Sequence, residues 1–279
     1  MRFASRKVPV SGFLVSVLAL GLAPGAAPPV LAEDFDHVHL IAPDTMAAAT
    51  WYNDLFGGTL GKSGPFDAVF YGNDILKVRD GEPTSGSGAT SLDHIGFSVP
   101  DVAATLEQCE AAGGKVVGAA RHVEAAGFTF GFCEDPWGTR IEVIDDMDHG
   151  GAPGLHHVHV FSGDAVATAA WYAKQFGGEV VPFKGLPPLH SILYDNRGDE
   201  TWLIVNQVPG DRTGTDGTVV DHIGWHTLKY DSWLERLRAD GVKFVEEPRV
   251  LDDGHRIAFI EGPNGTKIEL VELLEGGAP

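Results

Sequence analysis

The sequence predicts an α+β fold built from two tandem modules, each a pair of strand–helix–three-strand units with mixed sheets curling around a cleft. Three observations point there. "HVHLIAPDTMAAATWYNDLFGG" from His37 recurs as "HVHVFSGDAVATAAWYAKQFGG" from His157, an offset of 120 residues. "DHIGFSV" recurs as "DHIGWHT" and "GTRIEV" as "GTKIEL", at offsets of 128 and 127. Within the copies, His37, His94 and His157 each stand seven residues before an Asp (Asp44, Asp101, Asp164), with a looser fourth pairing of His222 and Asp231. Self-similarity on this scale marks repeated supersecondary units.

Each Asp precedes a segment of helical pattern, such as "TMAAATWYNDLF" closed by Gly57 or "VAATLEQCEAA" closed by Gly113. Asp as N-cap and Gly past the C-terminus are the expected punctuation. Short β-type runs follow, among them "VFYGNDILKV", "GKVVGAA", "FTFGFC" and "TRIEVI". Helices packed on one face of mixed sheets complete the plan. The pairs Trp51/Tyr52 and Trp171/Tyr172 sit at helical spacing from Phe56 and Phe176, which predicts core packing. "GEPTSGSGAT" reads as an inter-strand loop, since it lacks the Lys-Ser/Thr signature of a phosphate cradle.

Residues 1–32 differ in kind. Arg2, Arg6 and Lys7 precede the apolar run "GFLVSVLALGLA", and Val30 and Ala32 occupy the positions a signal peptidase reads, so a secretory signal and a secreted or periplasmic protein are expected. The run is well short of the roughly 20 residues a membrane-spanning helix needs, which speaks against a stable membrane anchor. The first module is expected over 33–148, a linker over 149–154, the second module over 155–275 and a tail over 276–279. A formal charge of −19 without a visible Lys/Arg stripe argues against nucleic acid as a partner. Cys109 and Cys133 are the sole cysteines, able to pair in an oxidising compartment or to stay separate buried thiols.

Alternation along the strands assigns faces. Val38, Leu40, Ile95, Phe97, Ile141 and Val143 form the apolar set of the first module, which the helices must cover. His37, His94 and Glu142 therefore point to the uncovered side. In the second module the same logic places His157, His222 and Glu269 opposite Val158, Val160, Ile223, Trp225, Ile268 and Leu270. Two imidazoles and one carboxylate suit Fe2+ or Mn2+ with open positions left for substrate, and Zn2+ fits as well. The competing reading is a solvated polar face. His39 and His159, on the same face, are expected to line the cleft or orient a ligand, whereas His190 and His226 read first as ordinary strand histidines, with lining of the second cleft as the alternative. Arg140 and Lys267 share the Glu142 and Glu269 faces, where solvated charges or attraction of an anionic substrate are both compatible.

The ordered set "FDHVHL…WYNDLFGG…LDHIGFSVPD…DPWGTRIEV" and "HHVHV…WYAKQFGG…VDHIGWHT…GPNGTKIEL" resembles the vicinal oxygen chelate superfamily, which includes glyoxalase I, extradiol dioxygenases and bleomycin resistance proteins. The resemblance implies a divalent metal ion, Fe2+ or Mn2+ before Zn2+ or Ni2+, with ligands His37, His94 and Glu142 in the first module and His157, His222 and Glu269 in the second. It implies a small-molecule substrate with neighbouring oxygens and allows a homodimer. Glyoxalase I adds a fourth ligand, usually Glu, where this chain reads "ILKVRD" and "WLIVNQ". That departure tilts the expectation toward a dioxygenase-type reaction, with a glyoxalase-like lyase or isomerase and a non-catalytic binding protein as alternatives. Ring-cleaving members place a Tyr where Phe132 and Phe259 stand here. His122 and His255 are the candidates for the acid/base role such a reaction needs.

Overall fold

The computed structural model describes residues 33–146, 153–196, 198–252 and 254–274. The signal-like segment 1–32, most of the expected linker and the tail lie outside these residues. Four units of one plan follow each other. The first comprises β1 (Asp34–Ala42), α1 (Thr45–Phe56), β2 (Thr59–Ser63), β3 (Phe66–Tyr71) and β4 (Asp74–Asp80). The second comprises β5 (Leu92–Ser98), α2 (Val102–Ala111), β6 (Lys115–Val123), β7 (Phe128–Glu134) and β8 (Arg140–Ile144). The third holds β9 (Gly154–Ser162), α3 (Ala165–Phe176), β10 (Val181–Pro182), β11 (Leu189–Asn196) and β12 (Asp199–Gln207). The fourth holds β13 (Val220–Thr227), α4 (Tyr230–Ala239), β14 (Phe244–Val250), β15 (Arg256–Glu261) and β16 (Lys267–Glu272).

The helix punctuation follows the sequence three times out of four. Asp44, Asp101 and Asp164 accept hydrogen bonds from the Ala47, Ala104 and Ala167 amides at 2.9, 3.0 and 2.9 Å. Each such cap is worth about 1 kcal/mol. Asp231 differs: α4 begins at Tyr230 with Lys229 at the N-cap, two residues earlier than a cap at Asp231 would place it, and the Asp231 carboxylate instead takes the Arg256 guanidinium at 2.7 Å. No helix among the described residues is long and apolar enough to cross a membrane. Cys109 and Cys133 are buried free thiols.

The strands form two eight-stranded mixed sheets, and each takes one unit from each module. One runs β14-β15-β16-β13-β1-β4-β3-β2, the other β10-β11-β12-β9-β5-β8-β7-β6. The seams are antiparallel, β1 on β13 and β5 on β9. A module's two half-sheets face each other across its apolar core: Phe56 of α1 stacks on Phe97 of β5 and Phe176 of α3 on Trp225 of β13, with ring centroids 4.1 and 4.3 Å apart. Tyr52 and Tyr172 are fully buried in that core, as their helical spacing predicts.

Candidate metal centres

This topology regroups the expected ligand sets. The sequence places His37 with His94 and Glu142, but those residues lie in different sheets. The structure brings His37 together with His222 and Glu269, and His157 together with His94 and Glu142. The physical reason is the seam: β1 pairs with β13, not with β5, so each first-strand His meets partners from the other module. All six side chains lie on the sheet face opposite the helices, as alternation requires. They are nonetheless buried, none more than 8% exposed, which removes the solvated-face reading.

Four β-bulges shape the two groups. At each seam the register skips Asp36, Asp93, His156 and Asp221, the residues immediately before His37, His94, His157 and His222. A bulge lets successive side chains approach the same side of the sheet. Each imidazole thereby gains a partner for Nδ1: Asp36 at 2.5 Å for His37, Asp93 at 2.8 Å for His94, Asp221 at 2.6 Å for His222, and the His156 ring at 2.8 Å for His157. Two glycines make the room. Gly224 lies opposite His37 and Gly96 opposite His157 across the seams, and a Cβ at either would overlap the imidazole. The "DHIG" repeat carries this requirement, although alternation alone shows only that Gly shares the histidine face.

The Nε2 atoms then converge on the carboxylates. His37 Nε2 and His222 Nε2 each stand 3.0 Å from Glu269 Oε2, and His94 Nε2 stands 3.0 Å and His157 Nε2 3.7 Å from Glu142 Oε2. An imidazole that donates its Nδ1 proton to Asp presents a lone pair at Nε2. Lone pairs of two imidazoles and a carboxylate turned toward one another suit a shared cation, and the backing carboxylates are the partners that orient metal-binding histidines. The donor set therefore fits a divalent ion. Burial alone would raise the Glu269 and Glu142 carboxyls, but the neighbouring histidines hold both well below the ordinary carboxylate range. Burial also opposes charge on His222 and His94, yet the flanking carboxylates raise both above the usual imidazole value.

His39 and His159 come closer than the sequence suggests. Each offers a nitrogen lying within 4.8 Å of the other donors of its group, and His39 Nδ1 is 3.0 Å from His222 Nε2. Burial and the neighbouring histidines push both rings well below the usual imidazole pKa, so they are neutral. His226 sits beside the first group, its Nδ1 3.0 Å from Asp36, and is pushed up to about 9 because Asp34 and Asp36 outweigh its burial. Arg140 and Lys267 bind Asp93 and Asp216 at 3.1 and 2.7 Å and lie over the rings of Phe132 and Phe259. Those two Phe rings in turn flank His94 and His222 at 5.2 and 5.1 Å. His122 is exposed on β6, 3.2 Å from Thr129, and belongs to neither group. His190 lies on β11, outside both groups.

The surroundings of the two groups differ. A cavity of about 730 Å³ is lined by His39, His222 and Glu269 together with Arg79, Arg249 and Lys267. A smaller one of about 230 Å³ shares Glu269 and adds Asp36, His226 and His255. The corresponding flank of the second group is apolar: Phe128 occupies the repeat position of His255, and it packs with Ile144, Phe130, Ile204 and Phe183. Phe183 belongs to a turn, Phe183–Gly185, in a stretch three residues longer than its counterpart between Gly58 and Tyr71.

Comparison with known proteins agrees with this architecture. The sequence model of the Glyoxalase/Bleomycin resistance protein/Dioxygenase superfamily matches residues 34–143 and again 154–270. A lactoylglutathione lyase of Haemophilus influenzae is 28% identical over 122 residues, covering 39% of this chain and 90% of the relative. The crystal structure of glyoxalase I from Zea mays superposes with a TM-score of 0.70 at 19% identity, covering 86% of this chain and 92% of that one. With its module matched twice over most of its length, the chain belongs to the Glyoxalase/Bleomycin resistance protein/Dioxygenase superfamily.

Proposed function

We propose that this protein is a divalent-metal-dependent enzyme acting on a small substrate with neighbouring oxygens, with His37, His222 and Glu269 as the working centre. The observation that carries the reading is the convergence of carboxylate-backed imidazoles and a buried Glu beside a cavity of about 730 Å³. A divalent ion held there supplies Lewis acidity or a redox centre. Asp36 and Asp221 fix the ring orientations. Arg79, Arg249 and Lys267 line the cavity where an oxygen-rich substrate would enter. His255 lines the smaller cavity that Glu269 shares, which supports a role for it in taking or returning a substrate proton.

A dioxygenase-type, extradiol-like reaction with Fe2+ or Mn2+ is the preferred chemistry. It is supported by the absence of a carboxylate beside the β1 histidines on β4, where Ile75 and Lys77 pair with His37 and His39. The second reading, a glyoxalase-like lyase with Zn2+ or Ni2+, is favoured by the identity to the Haemophilus influenzae lactoylglutathione lyase. Metal analysis of the purified protein comes first, then oxygen uptake with catechols and a lactoylglutathione assay. Oxygen uptake lost in His222→Ala supports the first reading, and lactoylglutathione turnover without oxygen uptake moves the protein to the second. Absence of stoichiometric metal would sink both. We also read residues 1–32 as an export signal: the mature protein should begin at Glu33, and a secreted or periplasmic chain still starting at Met1 would refute that.

A further inference from the structure

Resting on that metal-binding reading, the geometry points to His39 and His159 as fourth metal donors, which makes each centre a set of three imidazoles and one carboxylate. His37 and His39 alternate on β1 and so share a face, as do His157 and His159 on β9. The strand beside them supplies nothing that could complete the set. His37 and His39 pair with Ile75 and Lys77 of β4, and His157 and His159 with Trp202 and Ile204 of β12. The fourth donor instead comes from the same strand, two residues on.

Burial supports this role. His39 and His159 are 3% and 6% exposed, and His39 Nε2 and both ring nitrogens of His159 have no hydrogen-bond partner among the described residues. An orphaned buried polar atom is unfavourable unless something binds it. Both rings are held in place by aromatic edges, Phe66 at 4.5 Å from His39 and Phe161 at 5.1 Å from His159. The arrangement also occurs twice, in surroundings that otherwise differ. One group opens on a charged cavity, while the other abuts an apolar cluster. The same fourth imidazole nevertheless reaches the same place in both. A nitrogen-rich set of this kind favours Fe2+, Co2+, Ni2+, Cu2+ or Zn2+ over Mg2+ and Ca2+, and of the two ions preferred for the proposed reaction it favours Fe2+ over Mn2+.

The test uses the full chain, stripped of metal and reloaded with Cu2+ for pulsed electron paramagnetic resonance and with Co2+ for affinity. Three imidazole nitrogens per ion are expected in the wild type. His39→Phe and His159→Phe should each reduce one centre to two imidazoles. Each should also weaken Co2+ binding there at least about tenfold, the lower end of what losing an outer partner of a metal ligand costs. Should a Phe variant not fold, His39→Gln and His159→Gln provide the same comparison with a neutral polar side chain. Two imidazoles in the wild type, or an unchanged count and affinity in the variants, would overturn this assignment alone. A wild type that takes up neither ion would bring down the proposed function with it.

Discussion

The two donor groups of this protein are built from the same residue types on the same strands, yet their settings diverge. In the first, Asp36 backs the β1 histidine and is itself tied to His226 and Lys77. In the second the equivalent residue is His156, which passes the contact on to Asp146 and through it to Lys184. The first group faces two cavities that share Glu269, whereas one flank of the second is filled by Phe128, Phe130 and the inserted Phe183. Both copies thus keep the same donor residue types while the surroundings differ, so the proposed metal binding and the proposed substrate access rest on different parts of one scaffold.

The sharpest way to break this comparison is to remove one carboxylate at a time. Glu269→Ala should lower turnover by about 10³-fold, the equivalent of several kcal/mol of lost metal assistance, while Glu142→Ala leaves most of it. Equal losses in steady-state kinetics would abolish the division. Asp36→Asn should weaken metal binding at the first group about 10–100-fold, and His156→Ala should leave that group untouched, as read by metal titration. Gly224→Ala should destabilise the protein by about 1–3 kcal/mol in denaturant unfolding by crowding His37, with Gly96→Ala acting in the same way on His157. The smallest effect concerns pH. His226 has a folded-state pKa of about 9, above its ordinary value, so its contribution is complete below pH 6.5 and lost as pH rises through 9. A decline on the order of 1 kcal/mol over that window should vanish in His226→Gln. The repeat equivalent is Ser98, which does not titrate, so no matching dependence should come from that position of the second group.

Much of this is legible in the amino-acid sequence. The repeat, the alternating faces and the Asp and Gly punctuation identify the units, the helices and the six side chains that line the sheets' open faces. The partition of those side chains is not, because periodicity says which face a residue takes but not which strand lies next to it. A repeat in sequence suggests that ligands belong to the module that encodes them, and the β1–β13 and β5–β9 seams exchange them instead. The bulges at Asp36, Asp93, His156 and Asp221 were hidden for a related reason. Strict alternation would send those side chains to the core, and only the skipped register reveals that they back the histidines. Asp231 illustrates the opposite limit: Asp is a good cap, but two residues of offset and an available Arg256 redirect it.

The shared sheets set an order of events during biosynthesis. All donors of the inner group, from His94 to His159, are translated before β13 to β16. The outer group joins the first strand to the last, His37 to Glu269, and must wait for the whole polypeptide. Chains emerge and fold from the N-terminus at about 5–20 residues per second, so the delay is several seconds. A chain that ends between β12 and β13 carries every donor of the inner group but only His37 and His39 of the outer one.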